Sequence, residues 1–154
     1  MADPRVDQVD LEILSLLQQD GRRPVSEIAA RVSLSPTAVK RRIERLEQDG
    51  VVTGYAATID YAKLGWAISA FVELRFDGTT SPPDMNRTAA SVPEVSAVYT
   101  TAGDQDVIAH VHATSVDHLR QVIHRLRRSG QITGTRTHVI LDTHVKHAWH
   151  PGGS

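Results

Sequence analysis

The sequence predicts an α+β protein in two parts, and three observations carry that reading. Up to Gly50 apolar residues recur at helical spacing, whereas beyond it they alternate. One helix is sharply bracketed, by Ser35-Pro36 before it and Gly50 after it. Further on, strand and helix patterns follow in the order βαββαβ. Composition sets the frame: 154 residues suit one ordinary domain or two small ones, and 40% hydrophobic residues can supply a core. The chain has no cysteine, which excludes disulfides and thiolate metal sites and fits a reducing cytoplasm. No stretch approaches the roughly 20 apolar residues of a membrane span. The acidic start, MADPRVDQVD, lacks a signal-peptide core, so a cytoplasmic protein with no membrane partner is expected.

Residues 1–50 are expected to form a three-helix domain. The first helix spans residues 7–21, with Asp7 as cap, Val9, Ile13, Leu14 and Leu17 as the buried stripe, and Gly21 closing it. A short second helix over 27–32 carries Ile28, Ala29 and Val32 inward. After the turn Ser33-Leu34, Ser35 can cap the third helix, and Pro36 loses nothing by lacking an N–H at its first position. Val39, Ile43 and Leu46 form its apolar stripe, and Gly50 is placed to end it in a left-handed conformation. Three helices in about fifty residues make a small core, so help from a partner subunit is expected.

Residues 51–66 are read as a hinge strand and linker, with a strand over 51–60 and Gly54 marking a bulge or close approach. Residues 67–154 form the second domain. Ile68, Ala70, Val72, Leu74 and Phe76 alternate along its first strand, and a helix follows over 82–92. Strands at 95–101 and 107–114 are separated by the turn at 102–106. Ser115 then caps a helix bearing Val116, Leu119, Val122, Ile123 and Leu126, and the last strand covers 132–142. This is the ferredoxin-like arrangement, whose helices cover one sheet face only. Phe71, Val98 or Tyr99, Ile108 and Ile140 are candidates for the other face, where a second subunit's sheet is expected to stack.

Charge points to the partner of the helical domain. Residues 21–46 carry seven cations against two acids, a net of +5 in a chain whose total is −1. On the third helix Thr37, Lys40, Arg41, Glu44 and Arg45 fall opposite the apolar stripe. A basic stripe is often no more than a solvated face, but here it lies on the second helix of a helix-turn-helix, the one that enters the major groove of double-stranded DNA. Thr37, Lys40, Arg41 and Arg45 are assigned to the groove, with Ser35 and the helix N-terminus on phosphate. Arg41 or Arg45 can grip guanine O6 and N7, whereas Lys40 suits a phosphate. Arg42 lies nearer the apolar stripe and is expected to brace the fold or reach the DNA backbone. A homodimer would supply the paired half-sites such modules need.

The chain resembles the Lrp/AsnC, or feast/famine, family of transcriptional regulators. The matching residues include Asp7, Asp10, Gln19-Asp20-Gly21-Arg22, Glu27-Ile28-Ala29, Leu34-Ser35, Arg42-Ile43, Arg45-Leu46-Glu47 and Gly50-Val51-Val52-Thr53-Gly54-Tyr55. Pro93-Glu94-Val95, the run from Thr101 to Asp106, and Thr135-Arg136-Thr137 extend the likeness, which covers residues 6–146. It implies dimers assembling further, commonly as tetramers of dimers, and a small amino acid as effector, bound at subunit interfaces near Gly103 and Asp106. No cofactor is implied. The turn could offer backbone N–H groups to a carboxylate while Asp104 or Asp106 pairs the ammonium, with Tyr99, Thr101, Thr135 and Thr137 as walls. Turn chemistry alone would also explain Gly103 and Asp104. The family usually has Gly where Ser33 stands and a capping residue where Pro24 stands.

Eight histidines invite a metal site, but no established ligand spacing is present, and exposed or interface histidines are the favoured reading. His110 and His112 share a strand face and could make assembly sensitive to pH. The competing function is a small enzyme or metabolite-binding ferredoxin-like protein. Against it, the sequence shows no nucleophile–base pairing, phosphate loop or acid/base cluster, and the N-terminal domain would have no role.

Overall fold

The structure is a computed structural model that describes residues 6–103 and 106–144. Two compact units are present, the first holding the chain up to Thr58 and the second spanning Ile59–Thr143.

In the first unit α1 (Gln8–Gln19) opens with a capping box: the Asp7 carboxylate accepts from the Asp10 N–H at 2.9 Å, and Asp10 accepts from the Asp7 N–H at 3.0 Å. Helix α2 (Val25–Arg31) starts two residues earlier than expected. Pro24 pre-sets the entry with φ −59°, and its carbonyl accepts from Glu27 and Ile28, but no side chain caps the helix. Helix α3 (Pro36–Gln48) begins as expected, with Ser35 Oγ accepting from the Ala38 N–H at 3.2 Å. Gly50, at φ 71°, ends it. The turn between α2 and α3 puts Ser33 at φ 55°, the left-handed region where glycine is at ease and a side chain costs about 1 kcal/mol.

Ile13, Leu16, Ile28, Ala29, Val32 and Val39 form the core of this unit. Leu16, rather than Leu14, completes the α1 contribution, and Leu14 is only partly buried. Residues 51–60 correct the expectation of a strand: they pair with no strand among the described residues. Alternation specifies a face, not a partner. The segment instead anchors through Tyr55, whose hydroxyl donates to Glu47 at 2.9 Å and whose ring lies 3.3 Å from where a Cβ on Gly21 would stand.

The second unit is a four-stranded antiparallel sheet of β1 (Ile68–Phe76), β2 (Val95–Thr100), β3 (Val107–Ala113) and β4 (Ile132–Val139). Its order is β2-β3-β1-β4. Helices α4 (Pro82–Ala90) and α5 (Val116–Arg127) pack against it. Ala70, Val72, Leu74 and Phe76 from β1, with Val107, Ala109, Val111 and Ala113 from β3, meet Ala89, Leu119, Val122 and Leu126 of the helices. The opposite face carries Phe71, Tyr99 and Ile108. Tyr99 pairs with Ile108, whereas Val98 pairs with Ala109 and so belongs to the helix side. Phe71 and Tyr99 remain 39% and 53% exposed, a costly state for large rings on a sheet face.

Candidate nucleic-acid interface and effector region

Helix α3 is amphipathic because Val39 and Leu46 are buried and Ile43 packs against the same core. That burial fixes its rotation and turns Thr37, Lys40, Arg41 and Glu44 outward, all exposed. Lys40 lies 3.8 Å from Glu44, with its side chain 70% exposed, a loose pair that leaves the ammonium available. Among the described residues no ion pair holds Arg41. Ser35 is exposed, and its hydroxyl is occupied as the helix cap.

The other two cations behave differently. Arg42 donates through Nη1 to Asp7 at 2.7 Å and to Asp10 at 2.8 Å. Arg45 donates through Nη2 to the second oxygen of Asp10. Asp10 is completely buried, so its charge needs partners, and the two guanidiniums supply them across α1 and α3. Arg45 was expected in the groove, but the structure turns its guanidinium toward α1. Arg42 takes the bracing role expected of it. The hydrogen bond from Arg42 comes first among the causes that hold the Asp7 carboxyl below its ordinary value, and Asp7 and Asp10 in turn raise Arg42.

Asp10 was noted in the sequence only as a residue shared with the family, and its role as the buried anchor of the two arginines was not anticipated. Its signal was present: it shares the helical face of Ile13 and Leu17, three and seven residues on, where an acid has no business without a cation.

The expected effector residues are not gathered in one place. Tyr99 and Thr101 belong to β2 and its end, while Thr135 and Thr137 sit on β4, at the opposite edge of the sheet. Three strand spacings separate those edges, about 14 Å. The faces differ too: Thr135 and Thr137 pair with Leu74 and Val72 of the helix side, whereas Tyr99 lies on the open side. Asp106 uses one carboxylate oxygen to accept from the Phe76 N–H at 2.7 Å, and its carbonyl accepts from Thr101 at 3.1 Å. A Cβ on Gly103 would meet no described atom within 4 Å. Asp104 lies outside the described residues.

The histidines divide similarly. His110 Nε2 lies 2.7 Å from Ser69 Oγ, and His112 Nε2 lies 3.1 Å from Ser96 Oγ, with the two rings 4.6 Å apart. Burial depresses both imidazoles below their ordinary value, and His110 depresses His112 further. Among the described residues no three metal-ligating side chains converge. His147 and His150 lie outside that range.

Comparison with known proteins matches both units. The AsnC-type helix-turn-helix domain family matches residues 6–47, and the Lrp/AsnC ligand binding domain family matches residues 69–149. The HTH-type transcriptional regulator Rv2324 of Mycobacterium tuberculosis is 34% identical, over 89% of this chain and 93% of the relative. The regulator LysM of Saccharolobus solfataricus is 31% identical, over 93% and 99%. Among solved structures, the feast or famine regulatory protein of M. tuberculosis, complexed with L-methionine, superposes with a TM-score of 0.85 at 33% identity, covering 94% of this chain and 98% of that one. AsnC of E. coli gives 0.81 at 25% identity, over 92% and 95%. Fold, helix-turn-helix geometry and these matches agree: the chain belongs to the Lrp/AsnC family of helix-turn-helix transcriptional regulators.

Proposed function

We propose that this regulator reads operator DNA through Thr37, Lys40 and Arg41 of α3, and that Arg42 and Arg45 serve to hold that helix in place. The observation that carries the reading is the split among the α3 cations: Lys40 and Arg41 face solvent, while Arg42 and Arg45 close on buried Asp10. Ser35 and the first turn of α3 suit a phosphate, and Arg41 suits a guanine edge. Arg41→Ala is expected to weaken operator binding by about 1–3 kcal/mol and relax base preference at one position. Lys40→Ala is expected to weaken binding to all sequences alike and lower the salt slope by about 1. Footprints and affinities unchanged by Arg41→Ala at fixed salt would remove it from the interface.

The same reading assigns a homodimer to the open sheet face, through Phe71, Tyr99 and Ile108, and larger assemblies built from such dimers. A small amino acid is the effector, held near Gly103 and Asp106, with Asp104, Tyr99 and Thr101 from one chain. Thr135 and Thr137 would come from another chain, because the width of the sheet separates them from Tyr99. The L-methionine complex of the M. tuberculosis relative supports this class of ligand. Isothermal titration against a panel of amino acids, with operator affinity measured alongside, tests it. A panel giving neither heat nor any change in DNA affinity rejects amino-acid control.

A further inference from the structure

Helix α5 concentrates the positive charge of the sheet unit on its outer side. Residues 118–128 carry four arginines and no acid, whereas the rest of the unit over 59–143 holds nine acids against four cations. Burial decides where those side chains go. Leu119, Val122 and Leu126 are locked into the core, which turns Arg120, His124, Arg125, Arg127 and Arg128 outward, all exposed. Arg120, His124 and Arg127 recur at i, i+4 and i+7 and form one line along the helix. Gln121, Arg125 and Arg128 form a second line beside it.

An open cleft follows each line. One, of about 200 Å3, is walled by Arg120, His124 and Arg127 over Leu119 and Ile123. The other, of about 420 Å3, is walled by Gln121, His124, Arg125 and Arg128, with Glu94 and His118 also lining it. The nearby acids do not cancel this charge. Glu94 is matched by Arg125, and the contact of Arg120 with Asp117 at 3.2 Å joins two side chains 70% and 82% exposed, which water screens. Among the described residues no ion pair holds Arg127 or Arg128. The negative end of the helix amounts to about half a charge, too little to account for them. From Arg120 to Arg127 the helix rises about 10 Å, which matches about three successive phosphates along one DNA strand. A lipid bilayer fits less well, because α5 has already committed its apolar side to the core.

We infer that the outer side of α5 is a second DNA-contacting surface, on which Arg127 and Arg128, with Arg120, hold backbone phosphates without reading bases. Guanidinium forks match phosphate oxygens, and a rigid helix presents them at a fixed spacing. Such contacts add affinity and carry no sequence information, so they would secure DNA whose sequence α3 does not specify. The inference rests on the chain being a DNA-binding regulator, and not on which α3 side chains enter the groove.

Binding of the full chain to a random-sequence duplex of about 60 base pairs, followed by fluorescence anisotropy across a salt series, tests it. Arg127→Gln combined with Arg128→Gln should lower the slope of log affinity against log salt by about 2, and weaken binding about tenfold at about 0.1 M salt. Lys63→Gln combined with Arg87→Gln removes the same charge elsewhere on the unit and should leave both unchanged. An unchanged slope in the α5 variant overturns the assignment, as does an equal loss in the control, which would reduce the effect to net charge. Altered sedimentation of the free α5 variant would mark a contact between copies of the chain and overturns it too. Loss with Lys40→Ala and Arg41→Ala but not with the α5 pair overturns this inference and leaves the α3 reading standing. Loss with the α5 pair alone supports it and unseats α3.

Discussion

The helical unit and the sheet unit solve the same problem with different physics. The sheet unit buries fourteen apolar residues in one cluster, and its ion pairs, such as Glu94 with Arg125, lie at the margin of that cluster. The helical unit has seven buried apolar residues and, beside them, a completely buried carboxylate gripped by two arginines. A core that small supplies limited transfer free energy, and a charged cross-brace adds to the geometry that packing sets. The lesson is that α3 is oriented electrostatically as much as by packing, using the same residue type that would contact DNA.

That contrast can be broken most directly at the brace. Replacing Arg42 and Arg45 together with Met strands Asp10 as a buried charge and should cost about 3–5 kcal/mol, with amide exchange accelerated in α1 and α3 alone. Loss spread evenly over both units would show that the brace is not local. In the sheet unit the matching lesion is Leu126→Ala, expected to cost about 3 kcal/mol and to leave exchange in α1–α3 unchanged. Ser33→Gly should stabilise the helical unit by about 1 kcal/mol, since Ser33 sits at φ 55°, and denaturant midpoints would detect it.

Acid should separate the units further. His110 and His112 have folded values below their ordinary one, so the unfolded chain binds protons first, and the stability they confer is complete above about pH 6.5. It is lost as pH falls from there through their folded values. Asp7 is also depressed, but its contribution is present above about pH 4 and disappears only below that. Between these limits thermal melts should show the sheet unit weakening while the helical unit holds. Parallel losses in both would dissolve the distinction.

Much of this was legible beforehand because it is local. Ser35-Pro36 and Gly50 marked α3 through caps and a left-handed end that need no tertiary contact, and alternation assigned Ala70 through Phe76 to one face. The split between Val98 and Tyr99 was not legible, since it depends on the register with β3. Nor was the course of residues 51–60, which pair with no strand among the described residues, because pairing needs a second strand. Arg45 was misplaced for a related reason: helical spacing gives a residue's angle, while Asp10, thirty-five residues away, decides where its guanidinium goes.

The placement of β2 and β4 on opposite margins of the sheet has a consequence for dosage. A ligand that must touch both margins can be held only where two chains meet, so its affinity is linked to the association of those chains. Dilution of the regulator would then blunt its response to a constant level of metabolite. Cells holding few copies and cells holding many would follow different response curves to the same nutrient, with no change in any side chain.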